Sequence, residues 1–248
     1  MLPASAVAPR RLARGPGVHA PDGFAPALAR AIRVRPAASA LDLGCGAGFY
    51  ALDLARRGAS PVVATDLDPA AVRATRGNAR RLGLRIETAV GDLFAPVRGR
   101  RFDVIVANLP QCPSRAPLPL ARWGGPDGLR HLRRLARAAP RHLSPGGSLW
   151  FLATGWVDGA ELAEAFARFT LRPRVVLHRT VTPSDYDRLA PGLFDRLRAR
   201  AADRRSSLRR VRGRWRLPLT FYEARIRPAP GFLPPPPPSS RRALSPRV

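Results

Sequence analysis

Short apolar runs suited to β-strands alternate along this chain with segments of helical periodicity, and no other feature limits the fold as strongly. The runs are rich in β-branched or aromatic residues, which is typical of strands buried on both faces of a sheet. Strands alternating with helices of this length imply a parallel sheet covered on both sides, an α/β fold. The predicted strands are Ala40–Leu43, Val62–Thr65, Ile86–Val90, Val104–Ala107, Leu149–Leu152, Val175–Leu177 and Leu219–Ile226.

Helix signals fill the intervals between these runs. Asp68 followed by Pro69 is typical of an N-cap with proline at the first helical position. Asp158 with Glu161 three residues later indicates a capping box that opens a helix reaching to about Phe169. Further helices are predicted around Phe24, Leu28 and Ile32, after the first strand, over 129–143, and around Phe194, Leu197 and Ala201.

The two ends of the chain differ from this central part. Residues 1–23 show no sustained period, so we predict a loose N-terminal arm. Residues 228–248 contain five consecutive prolines, Pro234–Pro238, and the pair Arg241-Arg242, which favours an extended Pro/Arg-rich tail. Its composition is typical of a spacer, with a recognition peptide as the alternative. We therefore expect one catalytic domain over 24–227.

The basic residues outnumber the acidic ones, 43 to 17, for a formal net charge of +26. Such a charge attracts polyanions. The chain also contains no lysine and has 28 prolines, which indicates a GC-rich coding bias that would produce the same total charge. The Arg-rich segment 209–216, with Trp215 inside it, therefore has two interpretations: a nucleic-acid surface that binds phosphates and stacks on bases, or a solvated hairpin.

Several protein classes are disfavoured by what the sequence lacks. Cys45 and Cys112 cannot build a disulfide framework, and neither cysteines nor histidines have metal-ligand spacing, so no metal site is predicted. No apolar run approaches the ~18 residues that cross a bilayer. The first residues also lack the apolar stretch of a signal peptide. We expect a cytoplasmic protein without membrane partners.

The strongest local motif is a glycine loop at the end of the first predicted strand. Gly44, Gly46 and Gly48 are spaced G-x-G-x-G, whereas dinucleotide folds use G-x-G-x-x-G. Glycines at such a turn allow the backbone to approach a ligand closely. The loop therefore indicates a different nucleoside ligand.

Carboxylates follow the next two predicted strands. Asp66 ends the second strand, where a carboxylate can accept both hydroxyl hydrogens of a ribose, and Asp92 follows the third. The carboxyl ends of neighbouring parallel strands define the ligand crevice of an open α/β sheet. These residues together predict a cofactor site at that edge.

With these features in order from Ala40 to Gly147, the chain resembles the class I S-adenosylmethionine-dependent methyltransferases. The resemblance implies a doubly wound, mostly parallel seven-stranded Rossmann-like sheet with an antiparallel last strand, and S-adenosyl-L-methionine as the cofactor. It implies Asp66 at the ribose and Asp92 at the adenine amino group. The residues implied around the rest of the cofactor are Asp42, Gly44, Cys45, Gly46, Gly48, Leu67, Leu93 and Asn108.

Asn108, Leu109 and Pro110 directly follow the fourth strand, and we predict that they form the catalytic segment. A planar amide or exocyclic amine is a poor nucleophile because its lone pair is delocalised. The Asn108 side-chain oxygen and a backbone carbonyl of Leu109 or Pro110 would accept its two N–H bonds and aim the nitrogen at the methyl group. Alignment would then supply most of the acceleration. The structural alternative is an ordinary strand-ending turn.

Two further resemblances concern the methyl acceptor. Asn108–Gln111 resembles the Asn-Pro-Pro-Tyr signature of methyltransferases acting on planar nitrogens, with departures at Leu109 and at Gln111, where an aromatic wall is lost. Gly124–Leu129 resembles the corresponding stretch of bacterial release-factor glutamine methyltransferases. They imply N-methylation of a glutamine-like protein amide or of a small molecule. The alternatives are an RNA or DNA base N-methyltransferase, which needs the same geometry, and a non-catalytic cofactor-binding regulator.

Overall fold

A computed structural model describes residues 7–8, 11–15, 17–18, 21 and 23–227 of the chain. The predicted Pro/Arg-rich tail, 228–248, lies outside the described residues, as do parts of the N-terminal arm.

The described strands form one eight-stranded sheet. They are β1 Ala40–Leu43, β2 Val62–Asp66, β3 Glu87–Val90, β4 Phe102–Ala107, β5 Leu143–Thr154, β6 Phe169–Val181, β7 Arg209–Val211 and β8 Arg214–Ile226. The order is β3-β2-β1-β4-β5-β8-β6, and β7 pairs with β8 beside this path. Strands β1 to β5 pair in parallel, whereas β8 runs antiparallel to both β5 and β6. The predicted fold is confirmed, with β7 as a short addition to the seven strands.

Helices cover both faces of this sheet. They are α1 Ala25–Ala31, α2 Phe49–Arg56, α3 Pro69–Arg81, α4 Arg130–His142, α5 Gly159–Ala165, α6 Pro183–Asp187 and α7 Leu193–Ala202. The Asp68 carboxylate accepts a hydrogen bond from the Ala70 N–H at 2.7 Å, so it caps α3 as predicted. Asp158 caps α5 in the same way, by accepting from the N–H groups of Ala160 and Glu161.

The core consists of two apolar clusters, one on each face of the sheet. Along β4, Val104 and Val106 belong to the cluster beneath α1, α2 and α7, while Ile105 and Ala107 belong to the cluster beneath α4 and α5. Successive side chains of a strand point to opposite faces, so both faces of β4 are buried. This explains the continuous apolar run that the strand shows in the sequence.

The described residues of the N-terminal arm pack against this domain, although the sequence predicted a loose segment. Val7, Leu12 and Val18 are buried. The Asn78 side chain of α3 accepts a hydrogen bond from the Ala13 N–H and donates one to the Ala13 carbonyl, both at 3.0 Å. These partners are 65 positions apart, so no local pattern in the sequence reports the contact.

Strands β5 and β6 are longer than predicted. Strand β5 begins at Leu143, directly after α4. It therefore includes Pro145-Gly146-Gly147, which in the sequence indicated only the end of the preceding helix. Strand β6 begins at Phe169, where the sequence predicted the end of α5, and that helix ends at Ala165. Strand β6 is an edge strand with alternating exposed residues, and such a strand lacks the apolar run on which the strand prediction relied. Within the described ranges, no helix is long and apolar enough to cross a membrane.

Candidate active site

The glycine loop joins β1 to α2 and packs directly against the segment after β4. Gly44 has φ +74°, and its N–H donates to the Thr65 carbonyl of β2 at 2.8 Å. A Cβ added to Gly44 would lie 2.9 Å from Cδ2 of Leu109. Glycine is required here because a side chain would displace Leu109 and because the backbone is left-handed.

A cavity of about 370 Å³ lies at the carboxyl ends of β1 to β4, beside this loop. Its volume is in the range of small-molecule sites. The described part of the N-terminal arm contributes Gly17, Val18 and Pro21 to its wall, which the sequence did not predict. The sequence-predicted residues that line it are Gly44, Cys45, Gly46, Asp66, Leu67, Asp92, Leu93, Asn108, Leu109 and Pro110.

Two of the predicted cofactor residues, Asp42 and Gly48, support the loop from behind and do not line this cavity. Oδ2 of Asp42 accepts a hydrogen bond from the Ala51 N–H at 2.9 Å and so ties β1 to α2. Burial raises the pKa of the Asp42 carboxyl to about 7. Gly48 is the N-cap of α2 at φ +86° and packs against the Thr75 side chain.

Asp66 ends β2 with its carboxylate turned toward the glycine loop. Oδ2 accepts from the Gly46 N–H and Oδ1 from the Asp68 N–H, each at 2.9 Å. Each carboxylate oxygen has a second lone pair, so both oxygens can still accept a ligand hydroxyl. This arrangement fits a diol such as a ribose.

Asp92 forms an ion pair with Arg134 of α4. The two guanidinium nitrogens donate to the two carboxylate oxygens at 3.1 and 2.6 Å. The hydrogen bond from Arg134 is the main cause that lowers the pKa of Asp92, so this carboxylate stays charged. Its side chain remains 47% exposed, which leaves room for a further donor such as an amino group.

The segment Asn108–Pro110, which we call the lip, separates the large cavity from a second one of about 100 Å³. The Asn108 side chain is half-buried and lines both cavities. Among the described residues it has no hydrogen-bond partner. The Leu109 carbonyl accepts a hydrogen bond from Nε2 of Gln111 at 3.3 Å.

Gln111 fixes the lip to β5. Its Nε2 donates to the Leu152 carbonyl at 2.7 Å, and its Oε1 accepts from the Thr154 N–H at 2.8 Å. The Gln111 side chain is buried, so it does not replace the aromatic wall that the Asn-Pro-Pro-Tyr signature would provide at this position. Trp156 and Tyr186 supply aromatic walls to the small cavity instead, and the short helix α6 that carries Tyr186 was not predicted.

Gly124 permits a close approach between the loop before α4 and Gln111, the residue directly after the lip. A Cβ on Gly124 would lie 2.6 Å from the Cα of Gln111, so any side chain would displace that backbone. The Gly124 N–H donates to the Cys112 carbonyl at 3.0 Å. Trp123 packs beneath the Arg130 guanidinium, 4.9 Å from its ring centroid, and therefore supports this loop without lining either cavity.

Comparison with known proteins identifies the family. The model of the methyltransferase small domain family matches residues 12–172, which includes the glycine loop, both carboxylates and the lip. The chain belongs to this family.

Individual methyltransferases are similar to parts of the chain. A release factor glutamine methyltransferase from Bordetella pertussis is 38% identical over 147 residues, covering 54% of this chain and 53% of that protein. A ribosomal protein L11 methyltransferase from Chelativorans sp. is 41% identical over 144 residues, covering 56% of this chain and 43% of that protein. The chain thus spans about half the length of the relatives that it matches.

A solved structure supports the fold alone. The ribosomal protein L11 methylase from Lactobacillus delbrueckii subsp. bulgaricus superposes with a TM-score of 0.50 at 21% identity. The match covers 82% of this chain and 76% of that one.

Neither cysteine of this methyltransferase small domain is an activated nucleophile. Burial raises the pKa of the Cys45 thiol well above its usual value and that of Cys112 to about 11. Both thiols therefore stay protonated at neutral pH. His131 lines the large cavity, and its Nε2 lies 3.1 Å from the Trp123 carbonyl, while burial lowers its pKa.

The Arg-rich segment forms the β7–β8 hairpin of the methyltransferase fold. Arg209, Arg210, Arg212 and Arg214 are exposed there. Trp215 packs edge-on against Phe194 of α7 at a centroid distance of 5.7 Å. The hairpin therefore presents charge to solvent, but its tryptophan packs against the core and is not a free stacking surface.

Proposed function

We propose that this protein transfers a methyl group from S-adenosylmethionine to a planar amide or amine nitrogen of a protein or small molecule. The observation that carries the proposal is the position of Asn108. Its polar side chain lies between a cofactor-sized cavity and a smaller one, without a hydrogen-bond partner among the residues that the structure describes. A half-buried amide in this position has both its donors and its acceptor available to ligands.

The large cavity suits the proposed cofactor. Asp66 would accept the ribose hydroxyls, Asp92 would accept from the adenine amino group, and the backbone from Gly44 to Gly46 would enclose the methionine part. When bound, S-adenosylmethionine supplies a methyl group on a positively charged sulfur, which the acceptor nitrogen takes with release of S-adenosylhomocysteine and a proton.

The lip would orient the acceptor nitrogen. Oδ1 of Asn108 would accept one N–H bond. The Leu109 carbonyl keeps a second lone pair beside its hydrogen bond from Gln111, so it or the Pro110 carbonyl would accept the other N–H bond. Two fixed acceptors restrict the rotation of a planar nitrogen and hold it at the boundary between the cavities, which is the alignment that such a reaction needs.

The size of the small cavity supports an amide over a nucleobase. It measures about 100 Å³, less than the roughly 150 Å³ of a dry protein cavity known to bind one benzene ring. A two-ring purine would require the walls to move, while a single amide group would not. A glutamine-like side chain or a small amide is therefore the preferred acceptor.

A base N-methyltransferase is the second candidate, and the exposed arginines of the β7–β8 hairpin favour it. Arginine is well suited to bind the phosphates of RNA or DNA, and such binding weakens as salt rises. Negligible binding of RNA and DNA at low salt would count against this candidate.

The proposed function is tested with the Asn108→Ala variant. We expect its affinity for S-adenosylhomocysteine, measured by calorimetry, to stay within a few-fold of wild type, because Asp66, Asp92 and the glycine loop are intact. Transfer of radiolabelled methyl into protein, RNA or small-molecule fractions of a lysate should collapse. Arg115→Gln, at an exposed position that lines neither cavity, is the control. Unchanged turnover in Asn108→Ala would make Asn108 a structural residue and reject the proposal.

A further inference from the structure

The small cavity on the far side of the lip carries hydrogen-bond donors that the proposed transfer does not use. Asn108 and Pro110 offer acceptors at the end that faces the large cavity. The remaining polar side chains that line the small cavity include Arg122, Thr154 and Arg179. The two ends of the cavity therefore differ in chemistry.

Two residues that line this cavity, Thr154 and Tyr186, carry hydroxyl groups. Oγ1 of Thr154 is buried and has no hydrogen-bond partner among the described residues. The Tyr186 oxygen accepts a hydrogen bond from Nε1 of Trp156 at 3.0 Å, which leaves its own hydrogen to donate. A buried hydroxyl without a partner costs free energy, so a ligand oxygen that accepts from Thr154 would be bound favourably.

Two arginines bring positive charge to the same cavity from different elements. Arg122 belongs to the loop before α4 and Arg179 to β6. Burial raises the pKa of the Tyr186 phenol to about 12, and the charges of Arg179 and Arg122 both act to lower it, so both lie within electrostatic range of that hydroxyl.

Acidic side chains lie near this cavity but not in its described lining. Its described lining includes no aspartate or glutamate. The nearby carboxylates of α6 serve as caps: Asp185 accepts from the Thr182 N–H at 2.8 Å, and Asp187 accepts from the Phe194 N–H at 2.9 Å. Asp185 also pairs with Arg188, and the positive charge of Arg179 helps to lower the pKa of its carboxyl, so it lies near the cavity without lining it.

We propose that the small cavity binds a carboxylate of the methyl acceptor, held by Arg122, Arg179 and the Thr154 hydroxyl close to the reacting nitrogen. A carboxylate matches the planar donor fork of a guanidinium. It is also compact enough for a cavity of about 100 Å³. This inference rests on the proposed function, because it takes the lip as the place where the acceptor nitrogen lies.

The test compares two probes that differ in one charge. N-acetyl-L-glutamine and its neutral carboxamide, N-acetyl-L-glutaminamide, are each titrated by calorimetry into protein saturated with S-adenosylhomocysteine. We expect the acid to bind about tenfold more tightly or better, because hydrogen bonds to a charged group are stronger than those to a neutral one. Equal affinities, or no detectable binding of the acid, would overturn the proposal.

Variants assign the effect to the cavity. Arg122→Gln should abolish most of the preference for the acid, and Thr154→Val should weaken binding of the acid several-fold while the arginine charges remain. Arg115→Gln removes the same charge from an exposed position in the preceding loop and should keep the preference. S-adenosylhomocysteine affinity reports whether each variant is folded.

The two proposals fail in different ways. If methyl transfer occurs and depends on Asn108 while the acid and the carboxamide bind equally, the carboxylate site is wrong and the proposed function stands. If the acid binds through Arg122 but no methyl group is transferred to any acceptor, the proposed function is wrong.

Discussion

At the scale of single residues, the candidate site depends on side chains that join the backbone of one segment to a ligand or to another segment. Asp66 contacts the glycine loop through Gly46 and keeps lone pairs for a ligand. Gln111 spans from the lip to β5. These residues position others, so their substitution tests the arrangement as well as the individual contact.

Asp66→Asn should weaken binding of S-adenosylhomocysteine at least about tenfold, since a hydrogen bond to a charged acceptor contributes roughly 1.5–3 kcal/mol. The amide retains the size of the side chain but loses one acceptor and the charge. Calorimetric titration measures the change. Glu87→Gln, an exposed carboxylate of β3 that does not line the cavity, should bind like wild type. Equal affinity in Asp66→Asn would remove the ribose assignment.

Asp42→Asn should change how stability depends on pH. The folded protein raises the pKa of this carboxyl from 3.8 to about 7, so folding favours its protonated form. The stabilising contribution is complete below pH 3.8 and is lost as the pH rises through about 7. An amide cannot ionise, so the variant should gain stability relative to wild type between pH 4 and 7, by no more than about 4 kcal/mol.

Urea unfolding of both proteins across this pH range measures the Asp42 effect. The difference in unfolding free energy should be small near pH 4 and constant above about pH 7. A difference that does not vary with pH would show that Asp42 ionises normally in the folded protein.

At the scale of elements, the lip is held from two sides, by the glycine loop through Gly44 and by the loop before α4 through Gly124. A Cβ on Gly124 would displace the backbone of Gln111, directly after the lip, and a Cβ on Gly44 would displace the Leu109 side chain. The position of Asn108 therefore depends on Gly44 and Gly124, which lie in two other loops.

Gly124→Ala should reduce methyl transfer more than cofactor affinity, because the added Cβ meets the backbone of Gln111 and not the large cavity. Strain of this kind costs about 1–3 kcal/mol of stability. Thermal unfolding, calorimetry and label transfer measure the three effects. Gly77→Ala is the matched control: its Cβ would meet nothing within 4 Å in α3, so it should stabilise the protein slightly. Full activity in Gly124→Ala would contradict the role of this contact.

The elements around the large cavity could be predicted from the sequence better than those around the small cavity. Strands β1, β2 and β4 are buried on both faces, and their apolar runs gave nearly correct bounds. Helix α6 has five residues, and β6 is an exposed edge strand, so neither produces a clear pattern. The small cavity is built from these elements, and Arg179 and Tyr186 were missed for that reason.

The crevice itself could be predicted because its residues lie at strand ends, where a motif and a predicted strand coincide. Contacts between distant segments could not be predicted. Arg134 reaches Asp92 from 42 positions away, and the N-terminal arm reaches the cavity only through tertiary packing. Asp42 and Gly48 belong to the motif, but the turn of the chain places them behind the loop.

At the scale of the whole molecule, the net charge of +26 predicts that the protein binds polyanions. The question is whether the β7–β8 hairpin or the overall charge is responsible. Wild type should bind single-stranded RNA at low salt, with an affinity that falls as salt rises. Replacing the four exposed hairpin arginines by glutamine should lower the salt slope by up to about 3, since each phosphate contact contributes roughly 0.7. Fluorescence anisotropy across a salt series measures this slope. The four are Arg209, Arg210, Arg212 and Arg214.

A control variant with the same loss of charge distinguishes the effect of the hairpin from the effect of the total net charge. It replaces four exposed arginines elsewhere on the fold, namely Arg33, Arg73, Arg98 and Arg137. Equal slopes for the two quadruple variants would mean that binding follows overall charge and that the hairpin is not a nucleic-acid interface.

The lip is a wall common to both cavities, so no ligand can shift it in one without altering the other. Thermodynamic linkage makes the resulting cooperativity symmetric. A ligand in the large cavity changes the dissociation constant of a ligand in the small cavity by some factor. The ligand in the small cavity changes the dissociation constant of the other ligand by the same factor. The coupling free energy across Asn108 can therefore be measured by titrating either ligand in the presence and absence of the other.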